Sequence, residues 1–486
     1  MITNLTDYLE CAAVQYPEKI AFADEKESLS YKELRRKARN LGSFIAKQVG
    51  RTRCPVAVIT THCVNDLVAF MAVLYAGCFY VPVSPLLPEP RRISMMETMN
   101  PALILSPDTA LEQLDEADDA ALARIQDAHT DTSPAYAMFT SGTTGTPKAV
   151  LISHRGVIDL IASFENAFPL DEHCIFANQA PFDFDVSTKD IFLTLALGAT
   201  MHIVPKKLFS VPAELISYLR ERKITTLIWS TSALRMLTAF RALDAAVPSD
   251  LRLVMFSGEV MPNKVLNYWR KALPKTLFVN LYGPTEITCN CTYYKVRRAF
   301  DDAEPLPIGK PFQNTAILLL DENGNPVAAG ERGEICVRGS CLALGYYNNK
   351  DATDAKFIKN PLEKNFHERI YKTGDIGAYN KEGDLLFFGR NDHQIKHMGH
   401  RIELSEIELA VNALSCIDFG CCIYDEEGEK ILLFYQANAQ KDREIALALR
   451  AVLPSYMLPR KMLWREKLPL NKNGKIDRIA LMNAMA

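Results

Sequence analysis

No lysine–arginine block interrupts this chain, and 55 basic against 58 acidic residues leave a formal charge of -3. That removes any electrostatic case for binding nucleic acid or an anionic membrane surface. No CxxC pair occurs among the 12 cysteines; Cys289 and Cys291 are two apart and Cys421 and Cys422 adjacent, and neither is a zinc spacing. The opening "MITNLTDYLECAAVQYPEKI" mixes acids with apolar residues and lacks a basic region followed by an apolar one. Reduced, mostly buried thiols and a cytoplasmic location are therefore expected. One uncharged run, "LVAFMAVLYAGCFYVPV" from Leu67 to Val83, comes near the ~20 residues of a membrane span. It contains Gly77 and Pro82 and reads instead as a helix ending near Gly77 followed by a short buried strand. Internal repeats and low-complexity segments are absent too.

What is present is the balance of a globular protein, 48% apolar and 23% charged over 486 residues, long enough for two or three domains. "CPVAVIT", "PALILS", "ATMHIV", "TTLIWS", "LRLVMFSG" and "TLFVNLYG" read as buried strands, and helical stretches such as Pro212–Arg222 and Asn263–Ala272 lie between them. That alternation predicts an α/β protein with mostly parallel sheets, whose ligands bind beyond the carboxyl ends of the strands. From about residue 314, "TAILLLDENGNPVAAGERGEICVRG" reads as two strands around a turn in a smaller β-rich subdomain. "GRNDHQIKHMG", Gly389 to Gly399, is polar with a glycine at each end, as a linker is. After it, "ELSEIELAVNAL" is amphipathic and "KILLFYQAN" alternates. The expected division is residues 1–391, a core of two α/β subdomains plus the β-rich one, and residues 392–486, a small mobile α+β domain.

"YAMFTSGTTGTPKAV", Tyr136 to Val150, places a hydroxyl-rich loop and one lysine directly after a strand-like run. It is not a Walker A loop: Gly142 and Gly145 are three apart, and Ala149 follows Lys148 where that motif has a Mg²⁺-binding hydroxyl. A Gly/Ser/Thr loop after a strand can still wrap phosphates with N–H groups, hydroxyls and a lysine charge. A polar surface turn is the lesser alternative for such a stretch taken alone.

Together with "NLYGPTE" (Asn280–Glu286), "YKTGD" (Tyr371–Asp375), "GRNDHQIKHMGHRIE" (Gly389–Glu403) and "PLNKNGKIDR" (Pro469–Arg478), this stretch resembles the adenylate-forming superfamily of acyl-CoA synthetases, luciferases and peptide-synthetase adenylation domains. The likeness runs in order from about Leu5 to Arg478. It implies that ATP is held while a carboxylate attacks its α-phosphate, two anions that a site must neutralise and align. By the same resemblance Thr140, Ser141, Gly142, Thr143, Thr144, Gly145 and Lys148 form the phosphate loop, with Lys148 also aiding catalysis. Tyr282 stacks on adenine beside Gly283, Thr285 touches the α-phosphate, and Glu286 binds Mg²⁺. Asp375 accepts from the ribose hydroxyls, Arg390 supports the ribose, and Lys475 bridges the substrate carboxylate and α-phosphate. Asp392 is the implied hinge, and Gly399 and Arg401 the face presented for thioester formation. The family usually has glycine where Ala149 stands. His393, His397 and His400 are spaced H-x3-H-x2-H, but the resemblance makes this segment hinge and β-structure, not a zinc site.

In "PFDFDVSTKDIF" (Pro181–Phe192), Asp185 occupies the place where peptide-synthetase adenylation domains pair an aspartate with the substrate's α-ammonium group. Asp183, two residues earlier, is the rival. An unpaired buried carboxylate facing an apolar acid would be costly, so an amino acid is implied rather than a fatty or aryl acid. The other implied pocket positions are Val186, Lys189, Ser232, Met255, Ser257, Gly258, Leu281, Cys289 and Asn290, with Lys475 at the carboxylate. None is acidic, and the set suggests a small or modestly polar side chain such as alanine or serine. Lys189 either pairs with an acidic side chain or, as a lysine at a pocket rim usually does, extends to water.

"NQAPFDFD" and "SGEVMP" look most like stand-alone D-alanine–carrier protein ligases, although those usually have cysteine where Ser257 stands. The resemblance thus implies aminoacyl-AMP formation with ATP and Mg²⁺, then transfer to the phosphopantetheine thiol of a carrier protein. No carrier serine motif follows Arg478, so a separate protein or a removed downstream domain is the expected acceptor. Neither nucleic acid nor membrane insertion is expected. An acyl- or aryl-CoA ligase and a silent protein that retains the fold are the alternatives.

Overall fold

A computed structural model of the chain describes residues 2–106, 114–141, 147–302, 304–390, 394–426, 428–469, 476 and 478–483. Two compact units emerge from its packing. The first comprises Met1–Ser84, Met99–Met138 and Ala149–Gly389, and the second comprises Pro85–Thr98, Phe139–Lys148 and Arg390–Ala486.

The short apolar runs become strands because side chains on both of their faces are buried, as in sheets covered by helices on each side. In the first unit a nine-stranded sheet carries Ile175–Asn178, Thr226–Ser230, Leu253–Ser257 and Leu277–Tyr282 side by side and parallel. Its pleat divides the residues cleanly. Leu227, Trp229, Val254, Phe256 and Phe278 pack with Leu215, Leu219, Leu234, Leu266 and Trp269 on one face. Their neighbours Ile228, Leu253, Met255, Val279 and Leu281 enter the other apolar cluster. A second, six-stranded sheet contains the parallel strands Pro55–Ile59, Phe79–Val83 and Leu103–Leu105. The uncharged run of residues 67–83 spans most of the helix Val64–Tyr75 and the whole buried strand Phe79–Val83, with Gly77 between them. No helix among the described residues is long and apolar enough to cross a membrane.

Antiparallel pairing of Thr315–Leu320 with Gly333–Gly339 begins a five-stranded sheet, which includes the long strand Arg369–Tyr379. Register matters most in the parallel array. Ser230 lies opposite Ser257, so the strands end level and the loops after them open at one edge. Just past these strand ends stand Ser232, in the first turn of the helix Thr231–Ala239, Gly258 and Gly283.

In the second unit Phe419–Asp425, Lys430–Gln436 and Lys461–Arg465 form a three-stranded sheet. Cys422, Leu433 and Tyr435 pack on one face with Ile407, Val411, Ile445 and Leu449. Cys421, Leu432 and Phe434 pack on the other face. The adjacent cysteines point to opposite sides because strand side chains alternate. The segment read as a linker is more ordered than its polarity suggests. Gln394–His397 pairs antiparallel with His400–Glu403. Met398 and Gly399 turn the hairpin at φ 53° and 81°, the double positive φ of a two-residue type I′ turn.

Candidate functional site

Within the first unit, Asp185 enters from the loop after Ile175–Asn178 and is buried. Its carboxylate accepts a hydrogen bond from the Thr285 hydroxyl and feels the charges of Lys189 and Glu286. Burial pushes its pKa up, against the pull of Thr285 and Lys189. Asp183 is pushed up by burial as well, and among the described residues the side-chain charge it feels is that of Lys206. Asp185 is thus the aspartate of this pair that meets the other site residues.

The segment "YGPTE" is the strand end Leu277–Tyr282 followed by a short turn of helix, Thr285–Ile287. A Cβ on Gly283 would lie 2.7 Å from both the Asn290 Cα and the Cys289 carbonyl oxygen. Only glycine lets the chain fold back this closely on itself. Glu286, 1% exposed, accepts a hydrogen bond from the Tyr346 hydroxyl at 2.7 Å. Asp185 and Glu286 are two buried carboxylates that feel each other, so Glu286 adds to the rise in the Asp185 pKa while Lys189 offsets part of it. The carboxylate oxygens of Glu286 are hard donors of the kind that suit Mg²⁺.

Tyr282 and Asp375, both buried, are joined directly, the phenol donating to the carboxylate. Asp375 is positioned by Thr373, whose hydroxyl accepts from the Asp375 N–H at 3.0 Å and donates to the Ile335 carbonyl at 2.7 Å. Val186, Met255, Leu281 and Cys289 are buried in one apolar cluster on the same side of the large sheet. Ser257 is buried at its strand end, and half-buried Ser232 shares a 2.9 Å hydrogen bond with Ser230. Gly258 follows with φ 98°.

Lys189 departs from the rim position. It is 0% exposed, and its ammonium group donates to the Asn290 Oδ1 at 2.6 Å. The helix Ser187–Leu197 carries it inward, so the stem has no path along which to reach water.

The second unit holds Thr140, Ser141, Lys148, Arg390, Gly399 and Arg401. Thr140 closes the strand Pro134–Thr140, and Lys148 opens the strand Lys148–Ser153. The Ser141 hydroxyl donates to the Arg401 carbonyl at 2.8 Å and accepts from the Glu403 N–H at 3.2 Å. Arg401 Nε donates to Gln394 Oε1. His397 lies against Tyr424, and His400 stacks on Tyr456 at 3.6 Å. Gly142, Thr143, Thr144, Gly145, Asp392, His393 and Lys475 lie outside the described residues.

The sequence pattern of the family described as AMP-binding enzyme matches residues 9–347. The chain belongs to that family. Tyrocidine synthase 1 of Brevibacillus parabrevis is 31% identical over 98% of this AMP-binding enzyme, which spans only 45% of that synthase's length. A D-alanine–D-alanyl carrier protein ligase of Bacillus cytotoxicus is 29% identical, with 99% of each chain covered. Among solved structures, a holo NRPS protein containing adenylation and PCP domains, bound to a vinylsulfonamide inhibitor, superposes with a TM-score of 0.85. It is 26% identical, covering 99% of this chain and 84% of that one.

Two features of this AMP-binding enzyme escape sequence reading. Tyr346 reaches Glu286 from 60 positions away, with no local signal to mark it. A buried chain of polar groups joins His62 to Asn178 at 2.9 Å and Asn178 to Asp190 at 2.7 Å. Asp190 gives no signal of this in sequence, since a lone acid on a helix is ordinarily solvated.

Proposed function

We propose that this enzyme activates an amino acid with ATP and passes it to the phosphopantetheine thiol of a carrier protein. The observation that supports this reading is Asp185, buried, held by Thr285 and placed beside Glu286. Burial disfavours the charge of a carboxylate so enclosed and Lys189 offsets part of that cost; the α-ammonium group of an amino acid would supply a direct partner. Thr285 links the two tasks, touching the amine-reading carboxylate on one side and lying next to the metal-binding Glu286 on the other.

In the first step an oxygen of the amino acid's carboxylate attacks the α-phosphorus, and pyrophosphate leaves with the broken P–O bond's electrons. Mg²⁺ held by Glu286 would offset the charge of the phosphates. Tyr282 lines the adenine and Asp375 accepts from the ribose, its other hydrogen bond to Tyr282 fixing both. The loop Thr140–Lys148 wraps the β- and γ-phosphates, and Lys475 steadies the charge that builds where carboxylate and phosphate meet. In the second step the carrier's thiolate attacks the acyl carbon and AMP leaves. The small domain, residues 392–486, turns about Asp392 between the steps and replaces Lys475 with the Gly399–Arg401 face, since the two half-reactions need different groups at one place.

Amino-acid-dependent exchange of pyrophosphate into ATP tests the first step, run over common L- and D-amino acids. Loading of a phosphopantetheinylated carrier, with coenzyme A as the competing acceptor, tests the second. Exchange driven by acids without an amino group, with coenzyme A as the better acceptor, would replace this reading by that of an acyl-CoA ligase.

A further inference from the structure

We propose that His62 is a positioning residue for amino-acid activation, acting through the chain segment that carries Asp185. The inference rests on the amino-acid reading above and names what holds its ammonium-binding carboxylate in place. Asp185 needs such a hold. It is buried, and Glu286 opposes its charge, so its position is not one the carboxylate would adopt by itself.

His62 stands in the turn between the strand Pro55–Ile59 and the helix Val64–Tyr75. Its Nε2 lies 2.9 Å from Asn178 Oδ1 and 3.2 Å from the Ala180 carbonyl oxygen. The Asn178 amide nitrogen donates in turn to Asp190 Oδ2 at 2.7 Å, which leaves its oxygen to face His62. Both neighbours of Nε2 are therefore acceptors, and Nε2 carries the proton they share. Burial, with the Lys206 charge adding to it, holds the His62 pKa down to about 4, so the ring is neutral when it donates at neutral pH. The same ring packs on Phe182 with centroids 4.7 Å apart, and Phe70 meets Phe182 edge-on at 5.9 Å.

His62 thus grips residues 178, 180 and 182, and through Asn178 it reaches Asp190 on the helix Ser187–Leu197. Those contacts bracket Asp185 on both sides in sequence. Between them the chain turns tightly: the Phe184 N–H donates to the Pro181 carbonyl at 3.0 Å, and the Thr188 N–H to the Asp185 carbonyl at 3.1 Å. The turn that bears His62 is itself enforced. His62 has φ 63°, which costs a non-glycine residue energy and persists only when neighbours impose it. Asp66, 4% exposed, imposes it: its Oδ2 accepts from the N–H groups of Thr61, His62 and Cys63 at 2.9, 2.7 and 3.1 Å. Space-filling alone gives no reason for a strained turn that presents a shared proton to the Asp185 segment.

Steady-state pyrophosphate exchange by the full chain tests this, using the amino acid that drives it fastest and the same acid without its amino group, as alanine with propionate. His62→Phe keeps an aromatic ring against Phe182 and removes the donor, whereas His62→Gln keeps a donor. His62→Phe should raise the amino acid's KM by about 10-fold, the scale of a buried hydrogen bond lost with its acceptors left unpaired. Both kcat and the KM for ATP should stay near wild type. The des-amino acid should hardly respond, so preference for the amino acid falls by the same factor, and His62→Gln should recover most of it. In an Asp185→Asn background His62→Phe should add little, because the charge it positions is gone. Should His62→Phe no longer bind ATP in calorimetry, Phe182→Leu loosens the other end of the grip and should give the same selective rise in KM. Equal losses for the amino acid and its des-amino analogue, or full additivity with Asp185→Asn, would overturn this inference and leave the amino-acid reading intact. A wild-type enzyme that does not prefer any amino acid to its des-amino analogue would overturn both.

Discussion

Replacing Asp185 by asparagine keeps the volume and an oxygen for the Thr285 hydroxyl, and removes only the charge. In the wild type that charge is buried, with Thr285 bonded to it and Glu286 opposing it. Taking one partner from a buried ion pair costs about 3–5 kcal/mol, because the remaining charge stays desolvated. The amino acid's kcat/KM should therefore fall by at least about 10²-fold in steady-state pyrophosphate exchange. ATP affinity should hardly change, since Tyr282 and Asp375 are bonded to each other and not to Asp185. A des-amino analogue of the substrate should lose far less than the amino acid does. The pH dependence has a definite sign. Burial raises the Asp185 pKa, so protonation reaches it sooner than an exposed aspartate, and affinity for the ammonium form should be lost as pH falls through that raised value. Full activity of Asp185→Asn alongside an inactive Asp183→Asn would move the role by two residues. Indifference to both would mean that the substrate has no α-amino group.

Lys475→Ala should cut aminoacyl-AMP formation by about 10²-fold or more while transfer from supplied aminoacyl-AMP stays near normal, as single-turnover assays of each half-reaction would report; equal loss in both would contradict the domain exchange. Asp190 is raised from 3.8 to about 7 by burial, so the folded state keeps its proton longer than the unfolded chain does. Its contribution to stability is complete below about 4 and is lost as pH rises through about 7. Asp190→Asn should accordingly raise Tm more at pH 8 than at pH 5, and an equal shift at both would show that the carboxyl does not titrate there. Gly283→Ala places a methyl group 2.6 Å from the Ile287 Cδ1 and 2.7 Å from the Asn290 Cα. We expect a loss of about 1–3 kcal/mol in denaturant unfolding together with weakened amino-acid activation; an unchanged midpoint would show that the turn relaxes freely.

Local sequence determined the alternation of this chain. Buried strands announce themselves by short Val/Ile/Leu-rich runs, and Leu253–Ser257 and Leu277–Tyr282 lie inside the runs that predicted them. The helix Asn263–Ala272 coincides with its amphipathic stretch. These signals are local because backbone geometry and one-sided burial act within a few residues. Ordered motifs also marked where chemistry is carried, since loops at strand ends need particular glycines and hydroxyls. Polarity misled at Gln394–Glu403, where the pairing of two half-exposed strands leaves no hydrophobic trace. What only the tertiary structure decided is which groups share a dielectric environment. Lys189 reads in sequence as a lysine with water in reach, and the fold encloses it against Asn290, 101 positions away. Tyr346 and Glu286, Tyr282 and Asp375, and Asp185 and Thr285 are each brought together by sheet order and strand register, not by spacing along the chain. A charge's cost depends on everything within several ångströms of it, and that neighbourhood exists only after the chain has folded.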